Sequence, residues 1–395
     1  VSRGVVFVTV AFRLGYLGFF TTGDDACSGH FGLWDQTAAL RWVNENIEAF
    51  GGNKDNVTLF GHSAGAVSTY MLHLSPHSTG LFHKMICMAG SAEIGMLRLK
   101  SGKMVDPCRE KLIRLGVDEC KNNKELLDKL RTIPAEQFAV EVKVLKKERN
   151  DDIYLETVPY FGGYFLPAPI DELRKRATPK PMMTVVTKEE GIFFLIGKSP
   201  NEANLSRAIS IAALDGSENN ELLKNLRSLY VNVEILKDEE KLMRTIANIV
   251  SDYFMNAGAL QLCRKTVVNQ TEPVYLYVFD HFHPNTFGFL SKIINAADTT
   301  HGGELLYLFN KGIISNPSLS KNDRAVMDTF TTAITNFANS GNPNGSDPSK
   351  TELPSSWIPA DEKNSERNFV FSATKSQMQE EFFGGRPSVH LLGYS

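Results

Sequence analysis

A chain of 395 residues that is 42% hydrophobic and 22% charged has ordinary globular composition. Its net charge of −3, with no long basic run, argues against a nucleic-acid partner, and its longest apolar runs are too short to cross a bilayer. The five cysteines (Cys27, Cys87, Cys108, Cys120 and Cys263) are too sparse, and odd in number, for a disulfide framework.

In chain order, Val5 to Phe12 is a continuous apolar run that predicts a strand buried on both faces. The chain opens on Val1 and enters this run at once, so it is expected to begin inside a domain, with any signal peptide or lipidation motif upstream. Asp24 to Gly29 reads as a loop. Leu33 to Phe50 reads as an amphipathic helix, with Leu40, Val43 and Ile47 at helical spacing and Gly51-Gly52 as its stop. Val57 to Phe60 predicts a short strand and Ala64 to Leu72 a helix, with Gly61-His62-Ser63-Ala64-Gly65 as the turn between them. Lys84 to Ala89 is another strand, ending at Gly90-Ser91-Ala92. Strands and helices alternating at this spacing imply an α/β fold with a mostly parallel sheet.

From 105 to 131 the pattern is helical, and 140 to 152 is charge-dense and reads as a solvated excursion. Pro159 to Pro169 is a Gly-, Pro- and aromatic-rich loop. Met182 to Thr187 predicts a strand with Lys188-Glu189-Glu190-Gly191 at its carboxyl end. Residues 218 to 267 are mostly helical, Val274 to Phe279 is a strand, and 296 to 303 is a loop holding His301. Asp323 to Asn339 is a helix, and a last strand is expected between Trp357 and Phe371. No linker or internal repeat divides the chain, so residues 1–395 read as one domain.

The Gly-x-Ser-x-Gly turn between strand and helix makes Ser63 the candidate nucleophile, with the Ala64 N–H aimed where an oxyanion would form. A serine hydroxyl needs a histidine base, and the base needs a carboxylate on its other nitrogen. In this arrangement the order is serine, acid, histidine. That order leaves His281, His283, His301 and His390. His281 and His283 follow a strand directly and suit structural partners, and His390 lies in an irregular tail. His301 stands in a loop before Gly302-Gly303 and is the best base. For the acid, Glu190 follows a strand and precedes an apolar stretch; Glu189 is the fallback.

Four motifs together resemble the type-B carboxylesterase/cholinesterase family of α/β-hydrolases. They are Phe60-Gly61-His62-Ser63-Ala64-Gly65, the segment from Gly32-Leu33-x-Asp35-Gln36 to Gly51-Gly52, Glu190-Gly191-x-Phe193-Phe194, and His301-Gly302-x-Glu304. The resemblance implies an α/β-hydrolase fold and a serine esterase with Ser63, Glu190 and His301 as triad and Ala64 as an oxyanion donor. It implies an ester substrate and needs no metal or cofactor. It also marks Ser91 as a second serine near the acid, against a simpler reading as a backbone-bonded strand-end residue. His62 stands where the family commonly has glutamate, so neutral esters are expected over choline esters. Lys129 stands where many members have a cysteine that pairs with the one corresponding to Cys120, and Gly162 replaces an aspartate. The family's His-Gly-Gly loop would lie upstream of Val1. Residues 1–395 alone are therefore expected to be poorly soluble and at least about a hundredfold slow for want of oxyanion donors. The rival reading is a catalytically silent binding protein, because the family includes adhesion proteins. Asn-x-Ser/Thr sequons occur at Asn56, Asn204, Asn269 and Asn344, but the cysteine pattern favours a reducing, cytoplasmic setting over a secreted or lumenal one.

Overall fold

A computed structural model of the chain describes residues 3–93, 101–117, 119–138, 157–213, 220–288, 291, 298–312, 315–387 and 389. Six strands form one sheet in sequential order: β1 (Thr58–His62), β2 (Lys84–Met88), β3 (Met182–Thr187), β4 (Val274–Asp280), β5 (Asn368–Ser372) and β6 (Gln377–Gln379). β1 to β5 are parallel, and β6 returns antiparallel on β5. Each parallel step needs a crossover, which the helices between strands supply.

The side-chain period of two sends alternate residues into two cores. Met85, Cys87, Met182, Val186, Leu276 and Val278 pack on one face with Val67, Tyr70 and Met71 of the Ala64–Leu74 helix and with Leu260 of the Ala257–Val267 helix. Ile86, Met183, Val185, Tyr275, Tyr277 and Phe279 face the other way, onto Phe330 and Phe337 of the Lys321–Ser340 helix and onto Trp357. Covering on both faces is why β2 and β3 are buried along their whole length and mostly apolar, with Lys84, Thr184 and Thr187 as the exceptions. The Lys321–Ser340 helix starts in a capping box of Ser320 and Asp323 and stops at Gly341, whose φ of 77° closes its last turn.

The run from Val5 to Phe12 is not a strand. It is extended but makes no ladder, and Val6, Phe7, Val8 and Val10 are 41–49% exposed. An apolar run becomes a strand only when another strand lies beside it, and β1 ends the sheet on this side. Phe7 instead rests its ring against Phe60 of β1 and Phe309, at centroid separations of 6.5 and 5.4 Å. The helix expected to start at Leu33 runs from Phe31 to Asn46 and tightens into a 3₁₀ turn over Ile47–Phe50 before Gly51. The excursion at 140–152 and His390 lie outside the described residues.

A buried charge cluster ties the nucleophile's helix to the scaffold. Glu93, just beyond β2, is fully buried and bonds Arg174 and Lys265, the latter at 2.8 Å. Arg174 Nε in turn donates to the Tyr70 hydroxyl at 2.9 Å, on the buried face of Ala64–Leu74. Among the described residues, no helix is long and apolar enough to cross a membrane.

Candidate active site

The site begins where β1 turns into the Ala64–Leu74 helix. Ser63 occupies that turn with φ 57° and ψ −122°, a backbone region that costs a non-glycine residue about 1–3 kcal/mol and is found at functional sites. Close approach explains why glycines flank it. A Cβ on Gly61 would stand 2.1 Å from the Gly65 carbonyl oxygen, and one on Gly90 would stand 2.3 Å from the Ser63 carbonyl oxygen. Gly65 itself has open space where a Cβ would be, so the steric requirement falls on Gly61 and Gly90 rather than on both glycines of the motif. The Ser63 N–H donates to the Met88 carbonyl at 2.8 Å, which pins the turn to the end of β2.

The serine's hydroxyl oxygen lies 2.9 Å from His301 Nε2, and His301 Nδ1 lies 2.6 Å from Glu190 Oε2. The other carboxylate oxygen of Glu190 accepts the Thr187 N–H at 2.6 Å. Glu190 is fully buried and His301 nearly so. Three residues distant in sequence thus form one continuous hydrogen-bonded line. Ala64 opens the helix, so its N–H belongs to the group that a helix start leaves without an intrahelical acceptor. The helix N-terminus also places its positive dipole end at the serine.

The acid and the base are held by loops stitched to each other. Glu190 begins a 3₁₀ turn over Glu190–Leu195 at the end of β3. The Glu189 N–H donates to the Thr299 carbonyl at 3.0 Å, and Thr300 Oγ1 both accepts the Phe193 N–H at 3.0 Å and donates to the Glu190 carbonyl at 3.3 Å. Beneath the acid, the Gly191 N–H donates to Ser251 Oγ at 2.8 Å, and that hydroxyl donates to the Ala247 carbonyl at 2.7 Å. A Cβ on Gly191 would stand 2.2 Å from the Ala247 oxygen. Gly302, with φ 78°, supplies the bend after His301.

Glu189 faces away, 3.6 Å from Arg244, so it is not the carboxylate at His301. His281 bonds Asp323 at 2.8 Å and His283 meets the Ser318 carbonyl at 3.3 Å, both structural partners. Ser91 is buried and accepts the Glu93 N–H at 3.0 Å, the backbone-bonded alternative. His62 and Glu304 come together: His62 Nε2 is 3.3 Å from Glu304 Oε1, and the His62 ring lies 4.7 Å from the His301 ring. Burial pulls the His62 imidazole down, but the adjoining Glu304 and then Glu190 outweigh it, and the net shift is upward. Phe193 and Phe194 place their rings 5.8 and 5.3 Å from His301 and give the base an apolar wall. Thr187, Ser251 and Thr300 were not among the sequence candidates. Thr187 acts through its backbone N–H, which any residue type could supply, and Ser251 and Thr300 act through hydroxyls on backbone groups remote in sequence, which leave no local mark. Among the described residues, no cluster of His, Cys, Asp and Glu is gathered to hold a metal.

A family model described as "Carboxylesterase family" matches residues 1–388. The chain is 34% identical to "Esterase cest-33" of Caenorhabditis elegans over 97% of its own length and 69% of that protein. It is 30% identical to "Carboxylesterase 4A" of Bos taurus over 86% of its length and 63% of that protein. It is also 29% identical to "Neuroligin-2" of Homo sapiens, over 88% of its length and 42% of that protein. The chain therefore spans between two-fifths and seven-tenths of the length of these relatives. With almost its whole length matched by the family model and a parallel sheet presenting its serine between strand and helix, this chain belongs to the carboxylesterase family.

Proposed function

We propose that the protein hydrolyses carboxylic esters through an acyl-enzyme on Ser63. The observation that carries this reading is the unbroken line from Ser63 Oγ through His301 to Glu190 at 2.9 and 2.6 Å. His301 Nε2 takes the Ser63 proton as Oγ attacks the ester carbonyl, and the oxygen that becomes negative is met by the Ala64 N–H. The imidazolium then gives its proton to the leaving alcohol. His301 then takes a proton from water as it attacks the acyl-enzyme, and returns it to Ser63 Oγ as the acyl bond breaks and the acid leaves. Glu190 holds the Nδ1–H tautomer and stabilises the imidazolium. The chemistry calls for a small-molecule ester and no cofactor. Hydrolysis of a short-chain p-nitrophenyl ester by the purified, cooperatively folded protein tests the reading; no turnover would favour the silent binding role instead.

Substrate charge follows from position 62. A histidine pushed toward its cationic form beside the nucleophile repels a quaternary ammonium group. The expected result is a higher kcat/KM for a neutral ester than for the isosteric choline ester. A choline preference would overturn this expectation.

A reducing, cytoplasmic setting is proposed alongside. All five cysteines are thiols, and Lys129 pairs with Glu125 at 3.3 Å, where many relatives were expected to have a disulfide partner. The sequon residue Asn344 is buried and bonded through its amide to the Trp357 backbone in both directions, so it is not open to a glycan. Glycan on Asn204 of native protein, or a Cys108–Cys120 bridge, would overturn the proposal.

A further inference from the structure

His62 and Glu304 form a second histidine–carboxylate pair pressed against the first. Glu304 is fully buried, and among the described residues neither of its carboxylate oxygens accepts a hydrogen bond. The group of opposite charge beside it is His62, at 3.3 Å, an ion pair rather than an aligned hydrogen bond. A buried charge without a partner is costly, by several kcal/mol. His62 in turn lies ring to ring with His301, at 4.7 Å. Two imidazoles and two carboxylates, Glu190 and Glu304, thus share one buried cluster. Groups that interact this closely titrate as a set.

We propose that His62 is a positioning residue for the reaction, holding as imidazolium the proton that Glu304 would otherwise draw onto His301, so that His301 stays free to act as base. The proposal rests on the reading of Ser63, His301 and Glu190 as the reacting line. The geometry sets its sign. Without His62, the Glu304 charge would stand unopposed in the cluster that His301 shares, and a negative charge favours the protonated form of a neighbouring imidazole. His62 cancels that charge at contact distance. The groups that face His62 are Glu304 and His301 from the loop after residue 298 and Glu190 from the turn after β3. β4 contributes Tyr277, whose hydroxyl is pushed up by burial and then by the charges of Glu304 and Glu190. His62 carries its proton below its raised titration point and loses it as the pH rises through it, so the compensation operates below that point, where a base is most at risk of being protonated.

The test is the pH dependence of kcat/KM for a neutral p-nitrophenyl ester with the full-length protein and two variants, His62→Gln and His62→Gln/Glu304→Gln. A unit charge about 5 Å away, at an effective dielectric of about 20, moves a titration by about two units. His62→Gln is expected to move the acid limb upward by about one unit or more, and the double variant to bring it back near the wild-type position. An acid limb unmoved in His62→Gln, or unmoved again in the double variant, overturns the inference. If His62→Gln fails to fold, the imidazole C2–H resonance of His62 in the wild-type protein decides: it should titrate above the ordinary histidine value, and a titration at or below that value overturns the inference. Wild-type protein without ester turnover would instead remove the reading of the reacting line itself, so the two failures are distinguishable.

Discussion

Replacing Ser63 with alanine is expected to lower ester turnover by about a millionfold, the loss seen when the nucleophile of a serine triad is removed. The variant should melt as the parent does. The strained backbone at position 63 is the same for alanine as for serine, and the Cβ that the turn must accommodate is already present. The Ser63 N–H bond to Met88 and the acceptance of the Ala66 and Val67 N–H groups by the Ser63 carbonyl involve backbone alone, so they survive the change. A fluorophosphonate probe, which labels the activated serine of the parent, should leave the variant unlabelled. Near-parental turnover of a p-nitrophenyl ester by folded Ser63→Ala would show that another group attacks the carbonyl.

The second large effect is expected at Glu190. Glu190→Gln should lower kcat by about ten-thousandfold, by analogy with amide replacement of a triad carboxylate. The reason is tautomeric. Glu190 Oε2 accepts from His301 Nδ1 at 2.6 Å, which leaves Nε2 bare to take the Ser63 proton. A glutamine can keep the Thr187 N–H bond through its carbonyl oxygen, and then turns an amide N–H toward Nδ1. His301 must carry its own proton on Nε2 to fit, and so cannot act as base. KM should change little, since no substrate-facing surface is altered. A loss below about tenfold in kcat would mean that Glu190 is not the group that orients the base.

Much of this was legible in the residues, for identifiable reasons. The buried strands β2, β3 and β4 are mostly apolar because both sheet faces are covered, and such runs are hard to mistake once they alternate with helices. Ser63 could be found because the strained turn demands Gly61 one step before His62, a constraint written in consecutive residues. His301 could be found because chain order removes most competing histidines, and Glu190 because it stands at a strand end before an apolar stretch. What was hidden depended on partners remote in sequence. Residues 5–12 have the composition of a strand, but composition does not reveal whether a neighbour pairs with them. β6 is three residues long and polar, so it has no periodic signal of its own. Ser91 was marked by resemblance alone, and its hydroxyl faces Glu93. His62 and Glu304 were each noticed separately, while their contact came only from the folding of β1 against the His301 loop.

The fit of Gly191 against Ala247 bears on how lineages of this fold lose activity. The acid's neighbour has no room for a single methyl group, because the carbonyl it would strike belongs to the Glu239–Ser251 helix, which is itself packed into the core through Ile246, Ile249 and Val250. An alanine at 191 would have to push the Glu190 turn away from that helix, and with it the carboxylate away from His301. Such a chain would still spell serine, glutamate and histidine in order. One nucleotide change at a silent-looking glycine codon could therefore convert an enzyme into a scaffold without touching a reacting residue. A census of descendants that counts only the three residues would enrol it among the enzymes.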